Sequence, residues 1–109
     1  MPFKGTEGKK ISLQKARKMI GGHQKSKAFK ATAKSSGIKG GFYGKKTLMK
    51  ILNQPNCVGL RYFHARNAKK LPTIVLVGEH KNGSLLTEMM INEGPICPPI
   101  CDKSMELGL

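Results

Sequence analysis

The first helical pattern of hydrophobic and polar positions lies in the N-terminal third of the chain. Leu13, Ala16 and Ile20 occur at i, i+3 and i+7, which places them in one apolar stripe of a helix. Ser12, just before the stripe, is a typical N-cap residue, and Gly21-Gly22, just after it, is typical of a helix end. The pattern therefore predicts a helix that begins after Ser12 and ends at Gly21-Gly22.

A second helix is predicted in the middle of the chain. Leu48, Ile51 and Leu52 have the spacing i, i+3, i+4 of an apolar helix face. Pro55-Asn56 follows, and a proline there cannot continue the helix. We therefore expect this helix to end before Pro55-Asn56.

Two strands, and a third segment that is ambiguous, follow the second helix. Residues 57–66 (CVGLRYFHAR) alternate between two faces, and residues 73–80 (TIVLVGEH) form a nearly continuous β-branched and aliphatic run. Residues 67–72 indicate a turn, and Lys81-Asn82-Gly83 is a strong signal for a tight turn. Residues 84–91 fit either a third strand or a short helix. Because short turns join consecutive strands, we expect antiparallel pairing.

These elements predict an α+β fold, with two helices packed on one face of a small antiparallel β-meander. We expect residues 1–10 to form a flexible basic arm and residues 11–96 to form one domain. Within that domain, residues 23–41 (HQKSKAFKATAKSSGIKGG) read as a basic loop, or as a short helix that its partner orders. Residues 97–109 form a tail that contains Cys and Pro.

The distribution of charge along the chain gives information about the binding partner. The first 70 residues hold 18 Lys or Arg and one acidic residue, whereas the last 39 hold two basic and five acidic residues. The formal net charge is +14. Such one-sided charge indicates a polyanionic partner, either nucleic acid or an anionic membrane. The lysines are spread over an arm, two helices and a loop, which disfavours a membrane-binding amphipathic helix.

Lysine outnumbers arginine 17 to 3, which favours contact with phosphates over base readout. We therefore expect a structural RNA-binding protein, most plausibly a ribosomal protein whose partners are rRNA and neighbouring ribosomal proteins. A DNA-binding or nucleoid-associated protein is the alternative that composition leaves open. The residues expected to contact RNA share a positive charge and a place in the arm, the helices, the loop or the first strand: Lys4, Lys9, Lys10, Lys15, Lys18, Lys25, Lys27, Lys30, Lys34, Lys39, Lys45, Lys46, Arg61 and Arg66.

Residues 40–47 (GGFYGKKT) are similar to a phosphate-binding loop but do not match one. Gly40 and Gly44 have three residues between them where a Walker A loop has four, and Lys46 separates the first lysine from Thr47. The GFYG sequence also echoes the GXXG loop of KH domains, although no strand precedes it. A phosphate bound by Lys45 and Lys46 at the helix start is the interpretation that remains.

Basic and aromatic residues interleave at residues 61–66 (RYFHAR), as they do on sheets that stack bases. Period two places Tyr62 and His64 on one face of the strand and Arg61 and Phe63 on the other. No single face then has the full platform of an RRM domain. We therefore expect Tyr62 or Phe63 to belong to the core, with Arg61 and Arg66 available to phosphates.

The chain offers little for catalysis, metals or cofactors. It has no G-x-S-x-G elbow and no ordered set of Ser, His and acidic residues, so we expect no enzyme activity, no cofactor and no small-molecule substrate. Cys97 and Cys101 are the candidates for a metal, but a second ligand pair is missing. A protein-interaction or zinc-binding module built on this CPPIC tail is a further alternative.

Neither a secretory h-region nor a long apolar run is present, so we expect a cytoplasmic protein. Three cysteines there argue against a disulfide framework.

Three segments carry a resemblance: IKGGFYGKKTLMKILNQPNCVGLRYFHA, TIVLVGEHKNG and GPICPPIC. They combine an aromatic-Gly-Lys helix start, a QPxCVGxR junction, a VLVG strand and a CPPxC end. In this combination the chain resembles a family of small bacterial proteins of unassigned function. It departs from that family in charge, because Gln14 and Lys15 stand where those relatives carry Glu. Its size, basicity and Gly-rich arm are similar to those of a lineage-restricted bacterial ribosomal protein. The resemblance thus implies a family fold adapted to a polyanion.

Overall fold

The structure, a computed structural model, describes residues 3–30, 37–97 and 100. The chain forms two compact units, one of Met1–Gly8 and Tyr43–Gly94 and one of Lys9–Phe42 and Pro95–Leu109. Helices and strands are both present, so the α+β class is confirmed. The elements in chain order are α1 (Leu13–Gln24), α2 (Lys27–Lys30), β1 (Gly40–Gly41), α3 (Lys45–Leu52), β2 (Cys57–Arg66), β3 (Pro72–His80), β4 (Leu85–Ile91) and β5 (Ile96–Cys97).

The first unit contains the antiparallel sheet that the strand pattern predicts. Its order is β2-β3-β4, so β3 is central and pairs with both neighbours. Residues 84–91, which fitted a strand or a helix, contain strand β4. The predicted turn at Lys81-Asn82-Gly83 is present, with the Gly83 N–H donating to the His80 carbonyl at 2.8 Å and Gly83 at φ +93°. The core lies at β3, where Leu76 and Val77 point to opposite faces and are both buried.

Helix α3 packs on one face of this sheet. Ile51 is fully buried, and a Cβ placed on Gly78 of β3 would lie only 3.3 Å from the Ile51 Cγ2. Gly78 therefore lets the helix approach the sheet closely. The Tyr43 hydroxyl, just before α3, donates to the Ile74 carbonyl at 3.0 Å and fixes the start of the helix over β3.

Residues 3–8, within the predicted flexible arm, make local contacts. The Glu7 carboxylate accepts from the backbone N–H groups of Lys4 and Gly5, each at 2.8 Å. The Lys4 bond, with help from the N–H groups of Glu7 and Gly5, holds the pKa of the Glu7 carboxyl below its usual value. Phe3 also lies under the guanidinium of Arg61, 4.9 Å from its Cζ to the ring centroid. Residues that composition assigned to an arm thus take part in a local turn and in one aromatic contact.

The second unit contains α1, α2 and a two-stranded sheet. Gly40 pairs with Cys97 and Gly41 pairs with Ile96, so β1 and β5 are antiparallel. Phe29 of α2 is 8% exposed and meets the His23 ring edge-on at 5.4 Å. The basic loop predicted for residues 23–41 is thus partly regular, with a helical turn and a short strand. Its residues 31–36 lie outside the described part of the chain, as do residues 98–99 and 101–109 of the predicted tail.

The first helix differs from its prediction at its end. Ser12 caps it as expected, accepting from the Lys15 N–H at 3.1 Å, but α1 continues through Gly21-Gly22 to Gln24. Glycine inside a helix costs backbone entropy, so two adjacent glycines read as a stop signal. Both tolerate a helical conformation here, and beyond the helix's own backbone no atom of the described residues lies within 4 Å of a Cβ placed on either one.

This continuation makes a prediction about stability. Gly21→Ala and Gly22→Ala are each expected to raise the free energy of unfolding by about 0.5–1 kcal/mol, because alanine restricts the unfolded chain and meets no neighbour. Urea unfolding followed by circular dichroism measures the change. A fall in stability for either variant would mean that the helix does end at these glycines.

Candidate nucleic-acid interface

Helix α1 separates its lysines from its less exposed side. Ala16, Ile20 and Gln24 are half-buried, whereas Lys15 and Lys18 are exposed. Because successive residues are rotated by about 100° around a helix, both lysines lie roughly opposite Ile20. No residue of α1 is fully buried. The helix therefore presents a basic face to solvent, as the sequence predicted.

The start of α3 places two further lysines beside backbone N–H groups. Lys45 and Lys46 lie in the first turn and are exposed. The N-cap residue is Gly44, which has no side chain to cap that turn. The helix dipole is positive at this end and disfavours cations. An anion bound here would therefore be stabilised both by the dipole and by the two lysines.

The remaining predicted RNA-binding residues have different environments. Lys39 is half-buried, and its backbone N–H donates to the Cys97 carbonyl at 2.6 Å. The side chain of Lys30 and the whole of Lys34 lie outside the described residues. The other predicted residues with exposed side chains are Lys4, Lys9, Lys10, Lys25, Lys27 and Arg66.

Arg61 differs from the expectation that it is available to phosphates. Its Nε donates to the Glu79 Oε1 at 3.0 Å and its Nη2 to the Glu79 Oε2 at 3.4 Å. The Glu79 side chain is only 5% exposed, while that of Arg61 is 38% exposed. A buried carboxylate needs a charged partner, so the guanidinium of Arg61 stabilises the fold by pairing with Glu79. We correct the assignment and leave Arg61 out of the interface.

A pocket of about 350 Å³ lies beside this ion pair, in the first unit. Its lining includes Phe3, Glu7, Arg61, Tyr62 and Glu79. Two of the six acidic residues of the chain therefore line one pocket. Carboxylates repel a phosphate, and Arg61 in the same lining is already paired with Glu79. We exclude the pocket from the phosphate-binding surface.

The aromatic residues of β2 correct a second expectation. Tyr62 is 60% exposed and Phe63 is 44% exposed, so neither belongs to the core. The Tyr62 ring meets the His64 ring edge-to-face at 5.7 Å. Arg66 lies two residues further along the same face and its Nη1 donates to the Lys70 carbonyl at 2.9 Å. Sequence periodicity assigned these faces correctly but could not tell that both remain uncovered at this edge strand.

The cysteines do not form the metal site that was considered. Cys97 is buried and disulfide-bonded, contrary to the expectation of reduced cysteines, so its sulfur is not available as a thiolate ligand. Cys101 lies outside the described residues. Cys57 is a free thiol, 3.2 Å from the Gly59 carbonyl oxygen. Within residues 3–30, 37–97 and 100, no three His, Cys, Asp or Glu side chains are grouped to hold a metal ion.

Positive charge dominates both units, but not equally. The first unit has nine basic and four acidic residues, and the second has eleven basic and two acidic residues. Residues 9–42 contain ten basic residues and no acidic one. Between described side chains the one ion pair is Arg61–Glu79, which lies in the first unit. The lysines of residues 9–42 therefore have no acidic neighbours in their own segment.

A membrane-helix search and three comparisons with known proteins complete the description of the chain. None of the helices in its described ranges is long and apolar enough to cross a membrane. No protein-family model, curated protein or solved structure matches the chain.

Proposed function

We propose that this chain is a structural RNA-binding protein that neutralises phosphates, most specifically a ribosomal protein bound to rRNA. The observation that carries the proposal is the segment 9–42, with its ten basic residues, no acidic residue and a helix whose lysines face solvent. Positive charge of this density along the chain repels itself and attracts a polyanion. The proposed contacts position the RNA backbone without reading its sequence.

The resemblance to lineage-restricted ribosomal proteins supports the ribosomal form of this proposal. Lysine is a point charge that suits loose phosphate contact, whereas base recognition favours arginine, asparagine and glutamine. The exposed basic residues of α1 are Lys15, Arg17 and Lys18, and two of these three are lysines. A DNA-binding protein remains the second candidate, since phosphates are common to both nucleic acids.

Co-sedimentation of the full chain in sucrose gradients of cell lysate tests the proposal. At low salt and after a high-salt wash, we expect the protein to travel with one ribosomal subunit. Release by RNase and not by DNase identifies RNA as the partner. A protein that stays at the top of the gradient even at low salt is not ribosomal, and release by DNase alone establishes the DNA alternative.

The lysines of α1 give a quantitative prediction. If about eight phosphates are engaged, the affinity for RNA falls with about the seventh power of salt concentration. Lys15→Gln together with Lys18→Gln should lower that power by about two and weaken binding about 60-fold at ~0.1 M salt, because two phosphate contacts are lost. Fluorescence anisotropy with a labelled rRNA fragment over a salt series measures both values.

The matched control compares single substitutions. Lys81 is exposed in the turn between β3 and β4 and lies outside the proposed interface. Lys81→Gln is expected to leave the salt dependence unchanged, whereas Lys18→Gln alone lowers the power by about one. Equal effects of the two variants would show that binding follows net charge and not the face of α1.

A further inference from the structure

We propose that the exposed face of strand β2 stacks an unpaired base of single-stranded RNA on Tyr62, with Arg66 holding the backbone. This inference rests on the proposed function and specifies the form of its ligand. The surface, here called the β2 platform, consists of Tyr62, His64 and Arg66. These residues alternate along the strand and share one face, opposite Leu76, Ile74 and Pro72 of β3.

Exposure is the first argument for a ligand at the platform. Tyr62 is 60% exposed in the middle of a ten-residue strand. His64 and Arg66, further along the same face, are exposed as well. This face is therefore open to solvent from Tyr62 to the end of the strand. An aromatic ring that is left in water gains free energy by stacking on another flat group. The chain has a net charge of +14 and therefore attracts polyanions. Nucleic acids are the polyanions that also carry flat groups, their bases.

Ring geometry limits the platform to one stacked base. The Tyr62 and His64 planes are 86° apart, so a base parallel to one ring is perpendicular to the other. His64 meets Tyr62 edge-to-face, which holds the tyrosine ring in position and leaves the base to stack on Tyr62. A base inside a duplex is covered on both sides by its neighbours and cannot lie on this ring. The ligand must therefore have an unpaired, accessible base.

Charge at the end of β2 supplies the backbone contact. Arg66, Lys69 and Lys70 are exposed in or next to the turn that follows the strand. The bond from Arg66 to the Lys70 carbonyl fixes the guanidinium at this end. Tyr62 and Arg66 are four residues apart, roughly 13 Å along a strand. That distance exceeds the reach from a base to its own phosphate, so the ligand is an oligonucleotide rather than a mononucleotide.

Tyrosine fluorescence provides a direct probe, because the chain has no Trp and only two Tyr. Tyr43 is half-buried and donates its hydroxyl hydrogen bond to Ile74, which leaves Tyr62 as the accessible fluorophore. Titration of the full chain with an adenosine decamer is expected to quench the Tyr62 emission. A ten-base-pair RNA duplex at the same salt concentration is expected to leave it unchanged.

Substitutions then separate stacking from charge. Tyr62→Leu is expected to weaken binding of the decamer about 5- to 100-fold without changing its salt dependence, because stacking releases no counterions. Tyr62→Phe keeps a flat ring and should bind within about threefold of the natural chain. Phe63→Leu is the matched control, since Phe63 is an exposed ring on the opposite face of the same strand.

Each outcome decides one of the two proposals. If Tyr62→Leu binds the decamer as tightly as the natural chain does, the β2 platform is wrong while RNA binding stands. The same conclusion follows if Tyr62→Phe loses as much affinity as Tyr62→Leu, because the ring is then not stacking. If the natural chain binds neither the decamer nor the duplex at low salt, the proposed function itself is rejected.

Discussion

Arg61→Ala is expected to lower the free energy of unfolding by about 2–4 kcal/mol, because it strands the carboxylate of Glu79 without a partner. The Glu79 side chain is 5% exposed and receives two hydrogen bonds from the arginine fork. The expected loss extends below the range for a fully buried pair, since Arg61 itself is partly exposed. The same substitution removes the contact with Phe3, which contributes about 0.5–1 kcal/mol.

A second substitution tests that cause. In the Arg61→Ala background, Glu79→Gln is expected to restore part of the lost stability, because a neutral amide costs less to bury than a carboxylate. Urea unfolding of the single and double variants measures the coupling between the two residues. Arg66→Ala is the control, an exposed arginine on the same strand, and should change stability by about 0.5 kcal/mol or less. A loss below about 1 kcal/mol for Arg61→Ala would contradict the assignment of the pair as a structural element.

The Arg61–Glu79 pair shows where sequence reasoning reached its limit. The strand bounds Cys57–Arg66 follow from alternation and turn residues, which are local signals. The pairing of Arg61 with Glu79 depends on strand register and on the bulge near Gly59. A glutamate inside the apolar run of residues 73–80 was the available signal, because a charge in such a run needs a partner.

Other differences have the same physical origin. The pairing of Gly40-Gly41 with Ile96-Cys97 joins segments more than 50 residues apart in the chain, and two-residue strands have no periodicity to detect. The exposure of Lys15 and Lys18 was predictable, because the apolar stripe of one helix fixes its opposite face. The exposure of Tyr62 was not predictable, since alternation shows which face of the strand a residue is on but not whether other residues cover that face.

We expect the stability of residues 9–42 to depend on the contact between Phe29 and Gly37. Gly37→Ala is expected to lower the free energy of unfolding of the second unit by about 2–4 kcal/mol. A Cβ at this position would lie 2.5–2.7 Å from three atoms of the Phe29 ring, and Gly37 has φ +72°. The substitution therefore combines a steric clash with a left-handed backbone that side chains disfavour.

A double-variant cycle separates these two costs. In the Phe29→Ala background the ring is gone, so Gly37→Ala should cost only the backbone part, about 1–2 kcal/mol. Gly40→Ala is the matched control in the same segment, because, apart from its chain neighbours, no atom in the described part of the chain lies within 4 Å of its Cβ position. Amide hydrogen exchange of α1 and α2 reports the stability of the unit. Equal exchange rates in Gly37→Ala and Gly40→Ala would show that the Phe29 contact does not hold the segment.

The same variant connects the fold to the proposed function. Gly37→Ala changes no charge, so a purely electrostatic interaction with RNA would leave the affinity unaltered. If the Phe29–Gly37 contact prearranges the lysines of the segment, the variant pays an ordering cost on binding and its affinity for RNA falls, while the dependence on salt concentration stays the same. Anisotropy titrations of Gly37→Ala and Gly40→Ala at two salt concentrations distinguish a prearranged basic surface from one that orders only on RNA.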